Sequence, residues 1–276
     1  MKYRHSFHAG NFADVHKHAV LVALLQALER KDKGFFYLET HAGEGAYDLK
    51  VSPGAVREAI EQLLAAAPAD PELSAYSSAI TALRSRIGNP RAYPGSPLIA
   101  AQLLRPQDRA VLIEVLPQEA AALEQALPRR AAVRVAVGDG FQLLRAHLPP
   151  PERRGLTFID PPYEDTQRDF LEVGGTIEEA LRRFQTGVVA VWYPIKDARD
   201  TTSWLASLTP RVGRPVLVSE LAIHPCDSKV ALNGSGMLVV NPPYQVAERM
   251  QTWLPRLHAF LSPSGAGSTS VRTLGE

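Results

Sequence analysis

The chain has 276 residues, enough to bury a sizeable core as one large α/β domain or as one domain with an insertion. Its formal net charge of +1 excludes a globally basic nucleic-acid binder, so any phosphate-binding surface must be a local patch. The single cysteine, Cys226, excludes an internal disulfide and a zinc–thiolate cluster and fits a reducing cytoplasm. No apolar run approaches a membrane span, and Met1-Lys2-Tyr3-Arg4-His5 lacks the apolar core of a signal peptide.

Residues 11 to 33 predict an amphipathic helix, with Val15, Ala19, Leu24, Leu25 and Leu28 roughly on one face. Phe35–Glu39 is a first strand, running into the glycine-rich turn His41-Ala42-Gly43-Glu44-Gly45. Residues 48 to 92 break the rhythm: two helical patterns, around Ala55–Ala66 and Glu72–Ile87, follow with no strand between them. After Tyr93-Pro94-Gly95, Ser96 is the expected N-cap of a helix with Pro97 in its first turn. Strands are then expected at Ala110–Val115, Ala132–Val137, Leu156–Ile159, Val188–Trp192, Pro215–Ala222 and Met237–Val240, with helices between most of them. The pattern predicts an α/β fold, a doubly wound and mostly parallel sheet spanning 1–47 and 93–276, with a small inserted helical subdomain at 48–92. The Ser/Gly-rich segment from Ser262 to Glu276 is expected to be at least partly mobile.

Chemistry gathers at predicted strand ends, where open α/β sheets hold their ligands. Gly43 and Gly45 allow a ligand to approach the first turn, although Asp48 stands where a dinucleotide fingerprint needs a third glycine. Glu114 ends the second strand, well placed to hold ribose hydroxyls. Gly138-Asp139-Gly140 ends the third, where a carboxylate or an amide could read an adenine edge. The fourth ends in Asp160-Pro161-Pro162-Tyr163, whose prolines force a sharp bend. That turn offers a carboxylate, a Pro161 carbonyl and an aromatic face. The set suits a planar base: the acceptors take both N–H bonds of an exocyclic amine and favour its nucleophilic form, while the tyrosine stacks on the ring.

These turns, with Tyr3-Arg4-His5-Ser6-Phe7-His8-Ala9-Gly10-Asn11, Thr40-His41-Ala42-Gly43 and Tyr93-Pro94-Gly95-Ser96-Pro97, carry a resemblance. The chain resembles the class I S-adenosylmethionine-dependent methyltransferases with an adenine-N6 motif and, more narrowly, the bacterial family of large-subunit ribosomal RNA methyltransferase J. The likeness runs nearly end to end. It implies a Rossmann-like fold, S-adenosyl-L-methionine as cofactor, 23S ribosomal RNA as substrate and N6-methyladenosine as product, made by direct transfer to a flipped-out base. By the same resemblance His18, His41, Ser96, Glu114, Asp139 and Gly140 line the cofactor pocket, Asp160 is the catalytic acid, and Tyr3 sits near the entering nucleotide. Glu39 stands where the family pattern prefers aspartate.

Several signals compete. His5, His8, His16 and His18 crowd the first eighteen residues, yet no acid or cysteine cluster completes a metal site, and His16 and His18 lie on different helix faces. Pro225-Cys226 imitates a cytosine-C5 methyltransferase motif but lies two predicted strands too late. Asn241-Pro242-Pro243-Tyr244 also matches an amino-methyltransferase motif, but it follows the seventh strand rather than the fourth. Trp192-Tyr193-Pro194 could stack on nucleotides or pack in the core. Arg84, Arg86 and Arg91 are candidate contacts to RNA phosphates. Rival functions are an adenine-N6 DNA methyltransferase, for which an insertion of about 45 residues is small, and a non-catalytic RNA-binding or assembly protein, which intact Asp160 and Tyr163 oppose. A nicotinamide-dependent dehydrogenase would need the missing glycine. The expectation is a cytoplasmic enzyme acting as a monomer, with no metal, no membrane association and no obligate protein partner.

Overall fold

The structure is a computed structural model that describes residues 9–67, 71–129, 132–225, 228 and 230–275. Eight strands form the main sheet: β1 (Phe36–Glu39), β4 (Arg109–Glu114), β5 (Val133–Val137), β6 (Gly155–Ile159), β7 (Val188–Ile195), β8 (Val216–Ala222), β9 (Gly234–Val240) and β10 (Ser268–Leu274). Their order is β10-β8-β9-β7-β6-β1-β4-β5. β1 pairs in parallel with both β4 and β6, and β4–β5 and β6–β7 are parallel as well. β9 runs antiparallel between β7 and β8, so six strands share one direction while β9 and β10 oppose it. The winding reverses on either side of β1, and a crevice opens there at the carboxyl ends of the parallel strands. This is the doubly wound, mostly parallel sheet that the sequence pattern predicts.

Strand residues alternate between two cores, as a sheet covered on both faces requires. Tyr37, Leu156, Phe158, Ala190 and Val239 enter one core with α1 (Phe12–Glu29), α4 (Ser96–Leu103), α5 (Pro117–Ala126) and α9 (Val246–Leu261). Phe36, Leu38, Ile159, Val191 and Leu238 enter the other with α6 (Gly140–His147), α7 (Thr166–Arg183) and α8 (Ala198–Val212). Between β1 and α4 the chain makes an excursion. Strands β2 (Ala46–Asp48) and β3 (Ala92–Pro94) pair antiparallel at its neck, and helices α2 (Gly54–Ala66) and α3 (Pro71–Ile87) form its body. α2 packs on α9, and α3 on α1, α4 and α9. Ile60, Leu63, Leu73, Tyr76 and Ile80 thereby join the first core instead of forming one of their own.

The structure also differs from the sequence pattern in detail. The first helix ends at Glu29 and is buried on nearly every side, from Ala13 to Leu25, because the excursion covers the face the sheet leaves open. Gly95, not Ser96, is the N-cap of α4; Ser96 is the first helical residue, and its hydroxyl is drawn to a buried carboxylate instead. The short strands β2 and β3 gave no sequence signal. Within the tail, residues 268–274 form a strand: β10 pairs with β8 over seven residues, and Arg272 donates to Glu220 at 2.5 Å. Arg84, Arg86 and Arg91 contact Glu61 and the Ala92, Ala126 and Asp48 oxygens within the fold.

Candidate active site

A cavity of about 290 Å³ opens at the carboxyl ends of β1, β4, β6 and β7. α1 forms its floor through Asn11, Asp14, Lys17 and His18. Asn11 caps that helix by accepting from the Asp14 amide at 2.9 Å, which fixes where the first turn begins. Opposite stand His41 and Gly43 from the β1 turn, Ser96, Glu114, and then Asp160, Pro161, Pro162 and Tyr163. Trp192, Pro194 and Lys196 close the β7 side, joined by Ala231 and Leu232 from the loop before β9.

Lys17 is the main site residue missing from the sequence reading. Its ammonium is only 5% exposed and bridges two carboxylates, Asp14 Oδ1 at 2.8 Å and Asp160 Oδ2 at 2.6 Å. Burial alone would lower its pKa, but Asp14 and Asp160 outweigh that and hold it well above the usual lysine range. Lys17 is therefore a fixed cation. Its ammonium also lies 5.7 Å from the Trp192 ring centroid. Tyr163 donates its hydroxyl to the Trp192 carbonyl at 2.7 Å and meets the Phe170 and Trp192 rings edge-on. Lys196 donates to the Tyr163 carbonyl and to Thr166, both at 3.0 Å, pinning the turn from outside. Trp192 thus belongs to both the core and the cavity wall. Its indole is held by Ser235, which His16 also contacts.

At the other end, Glu114 accepts from the Gly43 amide at 2.8 Å and the Leu116 amide at 2.9 Å, one on each oxygen. Two bonds leave lone pairs for further donors. Gly43 has φ +65°, and a Cβ there would lie 2.5 Å from the Tyr47 hydroxyl, so the turn requires glycine. The His41 ring packs edge-on against Phe141 and holds Thr40 Oγ1 through Nδ1 at 2.8 Å. Burial brings its pKa down to about 4, so it is neutral near pH 7. Beneath Ser96 lies Glu39, fully buried, accepting from Ser96 at 2.5 Å and Tyr37 at 2.9 Å. Burial pushes Glu39 up to about 8 against those two bonds.

Of the residues singled out by sequence, the cavity collects His18, His41, Gly43, Ser96, Glu114, Asp160, Pro161 and Tyr163. Asp139, Gly140 and Gly45 lie outside its lining. Asp139 is an exposed cap of α6, accepting from the Gln142 amide at 3.0 Å. Gly140 packs where a Cβ would come within 2.0 Å of the Thr40 carbonyl. Glu39 supports the wall through Ser96 without lining it. Tyr3, His5, His8 and Cys226 fall outside the described residues. The two helical histidines diverge: His16 bonds Ser219 and Ser235, and His18 bonds Tyr93. Among the described residues no three His, Cys, Asp or Glu side chains gather as metal ligands. Lys17 carried one usable signal, a charge inside a helix whose other residues are nearly all apolar or histidine.

The second Pro-Pro-Tyr turn lies elsewhere. β9 is antiparallel, so its carboxyl end at Asn241 falls on the sheet edge opposite the cavity. Asn241 holds φ +54° there and donates to the Gln185 and Gly187 carbonyls, while Tyr244 is 82% exposed.

The chain is 41% identical to ribosomal RNA large subunit methyltransferase J of Escherichia coli and 42% identical to that of Haemophilus influenzae, with 98% of each chain covered in both cases. It is 37% identical to the crystal structure of protein LPL1258 from Legionella pneumophila, with a TM-score of 0.86 over 96% of this chain and 98% of that one. Residues 32–274 match the family model described as RsmJ, ribosomal RNA large subunit methyltransferase D, RlmJ. The chain belongs to this family of ribosomal RNA methyltransferases.

Proposed function

We propose that the protein transfers the methyl group of S-adenosylmethionine to N6 of an adenosine in 23S ribosomal RNA. The observation that carries this reading is the Asp160-Pro161-Pro162-Tyr163 turn, set in one cavity with the Gly43 turn and Glu114. The cavity fits the cofactor by the chemistry of its donors. Glu114 offers lone pairs to ribose hydroxyls, Val115 and Leu116 offer apolar surface to a purine, and His18 and Ser96 offer polar groups to an amino-acid end. When bound, S-adenosylmethionine supplies an electrophilic methyl carbon.

The chain's own residues prepare the amine. With Lys17 on Asp160 Oδ2, Oδ1 is left to accept one amine N–H, and the Pro161 carbonyl is the natural acceptor for the second. Tyr163, locked by its bond to Trp192, offers its ring to the extruded base. Positive charge develops on the nitrogen during transfer. Asp14, Lys17 and Asp160 together sum to one negative charge, so the site stabilises that charge while Lys17 prevents two carboxylates from repelling each other. Asp160 accepts the released proton or passes it to solvent. Alignment of amine, methyl and sulfur supplies much of the remaining rate.

Incubation with isotopically labelled S-adenosylmethionine and separate pools of ribosomal RNA and DNA, followed by digestion, tests the reading. Labelled N6-methyladenosine in the 23S fraction is expected. Label found only in DNA, or in another nucleoside, would replace it.

A further inference from the structure

Three buried polar groups connect the helical excursion to the cavity. Tyr76, on α3, is fully buried, and its hydroxyl oxygen lies 2.6 Å from that of Tyr93 on β3. The Tyr93 oxygen lies 2.9 Å from Nδ1 of His18, whose ring lines the cavity from α1. The rings pack as well, His18 against Tyr93 at 5.6 Å between centroids and against the edge of Tyr76 at 6.2 Å. Burial pushes both phenols above the usual tyrosine range, so each keeps its proton.

Proton counting gives the row a direction. If His18 donated from Nδ1 to Tyr93, Tyr93 would donate to Tyr76, and the Tyr76 proton would need a further buried acceptor. Stranding it is costly. In the opposite direction Tyr76 donates to Tyr93, Tyr93 donates to His18 Nδ1, and the one proton not used within the row sits on Nε2 of the ring that lines the cavity. His18 is then a hydrogen-bond donor.

We propose that Tyr76 is a positioning residue for cofactor binding: through Tyr93 it fixes the His18 ring as the Nε2–H tautomer and presents a donor to the carboxylate end of S-adenosylmethionine. The proposal rests on the reading of His18 as a cofactor contact. It gives the α2–α3 excursion a role in the active site that does not depend on RNA. A donor held by a buried row of hydroxyls binds a carboxylate without first losing rotamer freedom.

The test uses full-length protein labelled with ¹⁵N-histidine, with two-bond ¹H–¹⁵N correlation to read the His18 tautomer. Tyr76→Phe removes one oxygen and lets Tyr93 accept from His18 instead of donating. The His18 signals should shift from the Nε2–H pattern towards a mixture. The S-adenosylmethionine Kd should rise about threefold to tenfold, with kcat at saturating cofactor within about twofold of wild type. Tyr93→Phe should shift the tautomer further. Ile80→Val, a core change on the same helix, should lower the melting temperature and leave both the His18 signals and the Kd unchanged. An unaltered His18 tautomer in folded Tyr76→Phe overturns the proposal, as does a tautomer shift equally large in Ile80→Val. His18→Ala with unchanged Kd overturns it differently, by removing His18 from the cofactor site whatever its tautomer.

Discussion

At Asp160 one carboxylate oxygen is held by a lysine 143 residues earlier in the chain, and the other is the acceptor proposed for the substrate amine. That division makes the carboxylate's charge, not just its shape, the feature to test. Asp160→Asn keeps the shape but loses the charge, and its amide would meet the Lys17 ammonium donor to donor or turn its nitrogen towards the substrate. Methyl transfer should fall by about 10²–10³-fold or more, with cofactor affinity within severalfold of wild type in calorimetry. Near-normal turnover would remove Asp160 from its role. Glu114 has a double task, because it ties down the Gly43 amide as well as facing the cavity. Glu114→Ala should weaken S-adenosylmethionine binding by roughly tenfold or more, from the about 1–3 kcal/mol cost of unpaired buried donors. Unchanged affinity in a folded variant would exclude it. Both acids were legible in the sequence because each ends an apolar run. Lys17 was not singled out: a lysine in a helix is normally solvated, and it is the fold that brings Asp14, Asp160 and the Trp192 ring around this one.

Strand direction separates the two Pro-Pro-Tyr turns, and direction is a property of elements. Both follow good strands, and counting strands already favoured Asp160. The physical reason is that β9 reverses and carries Asn241 to the opposite edge. There the asparagine is a structural device: its backbone is left-handed and its amide bonds two carbonyls. Asn241→Ala should therefore retain methyl transfer but lose stability, by about 1–3 kcal/mol from the strained φ and two lost bonds. Denaturation and activity measured on one preparation would check this; a stable, inactive variant would return Asn241 to the active site. The elements that sequence missed were hidden for two reasons. β2 and β3 have three residues each, too few for alternation to register, and β10 is a polar edge strand, Ser-Thr-Ser-Val-Arg-Thr-Leu, half exposed along its length.

Across the whole molecule the doubly wound order was legible because both faces of the sheet are covered, so its strands read as apolar runs. The buried polar groups under the cavity were not, because their partners come from distant segments. Those groups give the protein a pH signature. Burial takes His16 down to about 3 and His41 down to about 4, whereas both titrate near 6.5 when unfolded. As pH falls below about 6.5, the unfolded chain gains two protons the fold refuses, and stability drops. Glu39 acts at the other side. Its folded pKa near 8 lies above its unfolded value of 4.5, so its contribution is fully present below pH 4.5 and is lost as pH rises towards 8. Each proton difference changes stability by about 1.4 kcal/mol per pH unit. For these three groups the two histidines outweigh Glu39 between their unfolded pKa and pH 4.5, and Glu39 alone acts above, which places their joint optimum near pH 6.5. Glu39→Gln isolates the alkaline limb, since glutamine resembles the protonated acid and can still accept from Ser96 or Tyr37. Its stability relative to wild type should increase steadily between pH 5 and 8 in urea titrations, by on the order of 2 kcal/mol over the last one and a half units. A difference that stays flat over this range would mean that Glu39 is ionised in the fold, with Ser96, Tyr37 and the nearby Lys17 outweighing its burial.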